Sequence, residues 1–291
     1  MKRGFLIVDK PSGISSNRVV GEVKKATGVK KVGHAGTLDP MATGALVVAV
    51  GKVTRLIRFV QDRPKEYLAT AEFGVSTDTL DADGAILNRE PMDITLQELQ
   101  EVLPRFTGDI MQVPPMVSAL KRDGKRLYEL ARKGEVVERE ARPVRVDELE
   151  IISVGPGPYP EVEFRVVCGK GTYVRSLADD MAGVLGGAAH LTALRRLRIG
   201  SLHVDEGLAL EELADWRSHL ITPSEALGDL PLVSVGDETA EGVCHGMRFV
   251  GGDITNGPSD QPYRVVDERG TLLAVYSKVG REARPEVVLP S

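Results

Sequence analysis

Only two cysteines, Cys168 and Cys244, occur in 291 residues, and neither belongs to a CxxC pair. Zinc and thioredoxin-like chemistry find little support in that count, and two buried free thiols in a reducing compartment are the expected state. No apolar run approaches the roughly 20 residues of a membrane span. The segment Met1 to Asp9 reaches a charge too early for the apolar core of a signal peptide. A cytoplasmic protein without membrane association is therefore expected. Nucleotide-triphosphate loops are missing too. Their pattern needs Gly five residues before a Gly-Lys pair and Ser or Thr after it. Around Lys170 those positions hold Phe164 and Gly171, and around Lys52 they hold Leu46 and Val53. The acidic stretch from Gly74 to Gly84 resembles a calcium loop only through Asp81, Asp83 and Gly84, and it lacks the bidentate Glu at the required offset. No metal or cofactor is expected.

What the chain does have is ordinary globular substance. Hydrophobic residues make up 42% and charged residues 27% of it, enough for a sizeable core in one large domain or a large and a small one. The net charge of −5 argues against a polyanionic partner until its distribution is seen. Residues 2–31 carry eight Lys or Arg against two acids, and residues 121–145 carry nine against five. From residue 205 onward, seven basic residues face sixteen acidic ones. A basic front and an acidic tail fit a polyanion held by one part of the chain, although solvated helix faces give the same pattern.

Apolar runs and turn signals suggest a mixed order of elements. Phe5 to Val8 is a short strand. Ser15 and Ser16 cap a helix with Val19, Val20, Val23 and Ala26 on its apolar side and Gly28 as its stop. Ala45 to Val50 is a buried strand, and Arg55 to Val60 a short helix. Glu66 to Phe73 alternates, with Tyr67, Ala69, Ala71 and Phe73 on one side. Thr95 and Glu98 form a capping-box pattern ahead of Leu96, Leu99, Leu103 and Phe106. After Pro114 and Pro115 comes a basic stretch read as a thin, projecting helix with Leu127, Leu130 and Ala131 as its stripe. Residues 145–154 and 161–168 pair as strands. Tyr173 leads into a helix with Leu177, Met181 and Leu185 inward. A helix near Leu210 to Leu220 and a break at Pro223 close the main body, and short strands follow from about Leu230.

The centre of the chain is the stretch from Gly33 to Gly44, Gly-His-Ala-Gly-Thr-Leu-Asp-Pro-Met-Ala-Thr-Gly. Three glycines and Pro40 disfavour regular structure, so it reads as a shaped loop leading into a core strand. Such a loop can hold the Asp39 carboxylate at a fixed place. On loop chemistry alone, Asp39 fits a turn carboxylate that caps local N–H groups equally well.

That stretch closely resembles the active-site motif of the bacterial tRNA pseudouridine-55 synthases, the TruB family. Further segments match in the same order: Lys10 to Gly13 with Ser15 to Asn17, Lys65 to Tyr67, Val117 to Lys121 with Gly124 to Tyr128, and Gly171 to Leu177. The resemblance covers roughly residues 4 to 200. It implies an α+β fold, with a central, largely antiparallel sheet flanked by helices in residues 1–228. It also implies an RNA-clamp insertion at about 121–145 and a small PUA-like β domain at 229–291, which matches the family weakly.

The activity so implied is isomerisation of uridine 55 in the TΨC loop of tRNA, by base flipping and exchange of a C–N for a C–C glycosidic bond. Asp39 matches the reacting carboxylate, Arg175 its cationic partner and Tyr67 the ring that stacks on the uracil. Tyr173 and Leu194 match residues lining the pocket, His34 the residue involved in flipping, and Lys10 a support or phosphate contact. Lys121, Arg122, Lys125 and Arg126 are expected to grip the TΨC arm of tRNA. A monomer is expected. Two other readings remain open, a tRNA-binding or folding protein without catalysis and a guide-RNA-dependent pseudouridine synthase.

Overall fold

Local sequence signals set most elements of the computed structural model, which describes residues 3–116, 121–122, 125–126 and 137–289. By its contacts the chain divides into two compact units, one of residues 1–38, 45–62 and 199–291, the other of residues 39–44 and 63–198. The small β module expected at 229–291 thus lies within a unit that also holds the N-terminal strands.

The first unit begins with strand β1 (Gly4–Lys10) and helix α1 (Ser16–Thr27). The Ser15 side chain caps the helix by accepting the Arg18 N–H, and Gly28 closes it at φ 69, a left-handed angle that glycine adopts without penalty. Its buried side is Ser16, Val19, Val20, Val23 and Thr27. Thr27 replaces the expected Ala26, because its hydroxyl donates to the Val23 carbonyl at 2.7 Å and goes inward with its polar atom satisfied. Strands β2 (Val32–His34) and β3 (Thr43–Val50) pair antiparallel. The central loop is accordingly shorter than expected at its N-terminal end. Helix α2 (Ile57–Gln61) follows a 3-10 turn.

The second unit carries strands β4 (Lys65–Phe73), β5 (Val75–Thr77) and β6 (Ile86–Arg89), helix α3 (Leu96–Val102) and strand β7 (Gly108–Gln112). The burial of β4 alternates strictly, with Tyr67, Ala69, Ala71 and Phe73 inward, as a sheet with one covered face requires. The Thr95–Glu98 capping box forms with both of its bonds. Strands β8 (Lys121–Arg122) and β9 (Lys125–Arg126) pair as an antiparallel hairpin. This corrects the helix reading at those four residues. The stripe Leu127, Leu130 and Ala131 lies outside the described residues. Strands β10 (Arg142–Val154) and β11 (Glu161–Cys168), helix α4 (Val174–Val184) and strand β12 (Ala189–Ile199) complete the unit, except that Ile199 falls in the first. Its strands run β12-β4-β11-β10-β7. β11 is antiparallel to β4, and β10 is antiparallel to both β11 and β7. Arg195 and Arg196 of β12 pair in parallel with Thr43 and Gly44.

The rest of the first unit contains β13 (Leu202–His203), β14 (Leu208–Ala209), α5 (Pro223–Ala226), β15 (Leu232–Ser234), α6 (Asp237–Cys244), β16 (Phe249–Val250), β17 (Tyr263–Val266), β18 (Leu272–Val279) and β19 (Glu282–Val288). Residues 210–215 form a 3-10 turn rather than an α-helix. Pro223 starts a helix instead of ending one: it occupies the first turn, where no N–H is needed, behind a Thr222–Glu225 capping box. Strands β15-β17-β18-β19-β16 form a five-stranded sheet that buries both faces. One face supplies Val266, Leu272, Val275 and Val287 to the core shared with Phe5, Ile7 and Val47. The other packs Tyr263, Val265 and Tyr276 with Val243. The mixed, largely antiparallel fold class therefore holds. Both thiols are free, and Cys168 is buried, whereas Cys244 is only partly so. Among the described residues no helix is long and apolar enough to cross a membrane.

Candidate active site

Arg175 sits in the first turn of α4 and is 3% exposed. The helix forms because Val174, Leu177, Ala178, Met181 and Ala182 recur on one side and are buried. Leu185, expected inward, falls at the C-cap. A guanidinium taken out of water needs its N–H groups satisfied, and here they are. Nε lies 3.1 Å from the Asp39 carboxylate. One terminal nitrogen donates to the Thr79 carbonyl at 2.7 Å and to the Asp81 carboxylate at 3.0 Å. Arg175 therefore stands between two carboxylates, Asp81 with its side chain 6% exposed and Asp39 at 35%. Asp39 is the more accessible of the two, and the buried Asp81 orients the guanidinium.

Asp81 is held as firmly as it holds. Its carboxylate accepts from the Thr79 hydroxyl at 2.5 Å and the Asp83 N–H at 3.2 Å, and its carbonyl accepts from the Thr77 hydroxyl at 2.9 Å. Between Thr79 and Asp81, Leu80 has φ 61, the sole positive φ of a non-glycine among the described residues. A branched aliphatic residue adopts that angle only when its surroundings compel it. Here the kink presents the Thr79 carbonyl and the Asp81 carboxylate to the same guanidinium. Sequence reasoning missed Asp81 as a site residue, seeing it only as part of an acidic turn.

Tyr67 is buried on the inner side of β4. Burial raises its phenol pKa, Arg196 opposes the shift by charge and a hydrogen bond, and the Asp39 carboxylate adds to the rise. The ring stays a neutral phenol at ordinary pH. Arg196, 1% exposed, is a second residue that sequence reasoning left without a role. Leu194, two positions earlier on β12, is buried. Tyr173 is the N-cap residue of α4 and partly exposed. Cys168 takes no part, since burial pushes its thiol up to about 11.

On the other side of β4, Glu66 ties neighbouring strands together. Its carboxylate accepts from Arg165 Nε at 2.6 Å and from Arg198 Nε at the other oxygen. Burial pushes the Glu66 pKa up, but the two arginine hydrogen bonds outweigh it and hold the carboxyl below its ordinary value of 4.5. A depressed folded-state pKa gives stability that is present above the unfolded value and lost as pH falls through the folded one. Glu66→Gln is therefore expected to cost about 1–3 kcal/mol at neutral pH, the scale of hydrogen bonds to charged groups. In urea melts the gap should narrow as pH drops below 4.5. A gap that stays constant with pH would mean the ion pairs contribute nothing.

Two candidates belong to the first unit. Lys10 is fully buried, and its ammonium donates to the carbonyls of Pro11 and Ile14, both at 2.8 Å. That arrangement supports the turn after β1 and leaves the amine no exposure for a phosphate. His34 is half-buried on β2, opposite Val48. The basic residues Lys121, Arg122, Lys125 and Arg126 share the β8–β9 hairpin.

Residues 24–174 match the family described as TruB family pseudouridylate synthase, N-terminal domain. The tRNA pseudouridine synthase B of Symbiobacterium thermophilum is 47% identical over 245 residues, covering 84% of this chain and 82% of that protein. The tRNA pseudouridine synthase B of Ralstonia nicotianae is 41% identical over 293 residues, covering 97% and 93%. Among solved structures, the chain superposes on one from a crystal structure of a Cbf5-Nop10-Gar1 complex with a TM-score of 0.77 at 26% identity, covering 99% of this chain and 85% of that one.

Proposed function

The chain belongs to the TruB family of pseudouridylate synthases, and from that premise we propose that it isomerises uridine 55 in the TΨC loop of tRNA. The reading is carried by one observation, the half-exposed Asp39 carboxylate held 3.1 Å from a buried arginine. Arg175 pairs with the Asp39 carboxylate, and Asp39 acts on the flipped nucleotide as nucleophile or base. The glycosidic N1–C1′ bond breaks, the uracil turns and C5 bonds to C1′ of the ribose; the proton on C5 leaves to solvent and N1 takes one up, so the product is an isomer of the substrate. The exchange is redox-neutral and consumes no co-substrate. A base inside a folded loop must leave its stack to reach a carboxylate. Stacking on Tyr67 offsets that cost by roughly 1–3 kcal/mol, with Tyr173 and Leu194 lining the pocket and His34 assisting the flip. We take the enzyme as a cytoplasmic monomer, with residues 229–291 as a PUA-like module.

The test is tritium release from tRNA transcripts labelled at C5 of uridine, with no guide RNA added. Release supports the reading, and release lost on changing U55 assigns the position. The likeness to a chain from a Cbf5-Nop10-Gar1 complex favours one other reading, a guide-dependent synthase. Activity only on adding a guide RNA would establish it. The hairpin adds an electrostatic grip. Neutralising Lys121, Arg122, Lys125 and Arg126 together should weaken tRNA binding and flatten the slope of log K against log salt by up to roughly 3. An unchanged slope would remove the clamp.

A further inference from the structure

Gln112 ends β7 and is 2% exposed. Its amide meets the backbone of Tyr173 in both directions. Nε2 donates to the Tyr173 carbonyl at 3.1 Å, and the Tyr173 N–H donates to Oε1 at 2.8 Å. A primary amide presents a donor and an acceptor side by side, so it can stand in for a peptide group in a two-bond bridge. The orientation is unambiguous, since turning the amide over would set oxygen against oxygen and N–H against N–H. The two residues after Gln112 are bound as well. Ser176 Oγ donates to the Val113 carbonyl at 3.2 Å, and an Arg139 terminal nitrogen donates to the Pro114 carbonyl at 2.9 Å. Tyr173 is the N-cap of α4 but makes no side-chain cap bond. The helix entry is therefore fixed from outside, by the end of β7.

We propose that Gln112 is a positioning residue: its amide bridge sets the entry of α4, and with it Tyr173 and Arg175, against the strand end from which the chain continues to the basic hairpin. Arg175 lies two residues beyond the bridge and meets Asp39 at 3.1 Å. A small rotation of the helix entry would move both the pocket tyrosine and the guanidinium. The inference rests on the pseudouridylation reading, because its consequence is read as a rate.

The nearly isosteric Gln112→Glu tests it. An ionised Glu has no donor and sets an oxygen against the Tyr173 carbonyl, whereas its protonated form regains an O–H donor. Burial raises the pKa of such a carboxyl, so the bridge should re-form within an accessible pH range. At about pH 8, kcat for tritium release should fall roughly ten- to hundredfold, the scale of an ångström-level misplacement, with KM for tRNA little changed. The ratio of variant to wild-type kcat should climb as pH is lowered toward about 6. Gln112→Leu should be slow at every pH. A pH-independent ratio for Gln112→Glu, or wild-type kcat in both variants, would overturn the proposal. A second readout needs no activity. Hydrogen exchange at the Tyr173 amide should quicken in Gln112→Leu, and unaltered exchange would overturn the bridge. If wild type releases no tritium, the pseudouridylation reading fails, while the exchange result still judges Gln112.

Discussion

Asp39→Asn should abolish tritium release while leaving the protein folded and bound to tRNA. The expected loss is roughly 10²- to 10⁴-fold or more, the range over which a reacting acid–base group contributes. Asparagine keeps the shape of the side chain but cannot attack a sugar carbon or take up a proton. The fold should tolerate the change, because the Asp39 side chain is 35% exposed. Arg175 would also keep its bonds to Thr79 and Asp81, so the buried guanidinium retains a counter-charge and the heavy penalty for an unpaired one does not arise. The measurement is single-turnover release beside filter binding of the same transcript. Release at the wild-type rate would show that Asp39 is not the reacting carboxylate. Loss of release together with loss of binding would place Asp39 in recognition rather than chemistry.

The second large effect falls on a residue with no chemistry of its own. Gly44 has φ +99, and a Cβ built on it would lie 2.2 Å from the Arg196 carbonyl oxygen and 2.8 Å from its nitrogen. Both atoms are backbone of the strand that Gly44 pairs with, so neither can swing aside as a flexible side chain would. Gly44→Ala must force an unfavourable φ and also push the two backbones apart. These costs together come to about 3 kcal/mol or more, equivalent to a fall in Tm of roughly 6–12 °C in a chain of this class. Activity should suffer further. Gly44 ends the 39–44 segment that carries Asp39, and its pairing partner Arg196 braces Tyr67. Displacing that junction shifts carboxylate and ring together, and kcat should drop by roughly a hundredfold. Gly28→Ala is the control. Its φ is +69, but nothing lies within 4 Å of the added Cβ, so it should cost about 1 kcal/mol and leave kcat alone. Equal behaviour of the two variants would show that the close approach at Gly44 is not what matters.

The elements that could be read in advance are those whose signals are local. Ser15 and Gly28 bound α1, Thr95 and Glu98 cap α3, and the alternation through Tyr67, Ala69, Ala71 and Phe73 sets the inner side of β4. Elsewhere the structure differs from the local reading. The 210–215 segment keeps only a 3-10 turn, and Pro223 opens a helix that its position in sequence had suggested it would end. The tail at 229–291 read as a small β domain because its strands are short and separated by turns. Its sheet shares one face with the core of β1 and β3, a relation that no local pattern announces.

The candidate site divides along the same line. The loop chemistry around Asp39 and Pro40, the alternation that turns Tyr67 inward and the motif that holds Tyr173 and Arg175 are written in consecutive residues. By itself, local chemistry left Asp39 as either a reacting group or a turn carboxylate, and the roles expected of Asp39, Tyr67, Tyr173 and Arg175 came from the resemblance of their joint pattern to one family. Tertiary structure alone decided how they are held. Asp81 reaches Arg175 across 94 positions, and Gln112 reaches Tyr173 across 61. Arg196 meets Tyr67 and Gly44 only because β12 folds back beside them. The orientation of a buried guanidinium or phenol depends on groups that chain folding brings within about 3 Å, and a distance of that kind has no representation in the order of residues.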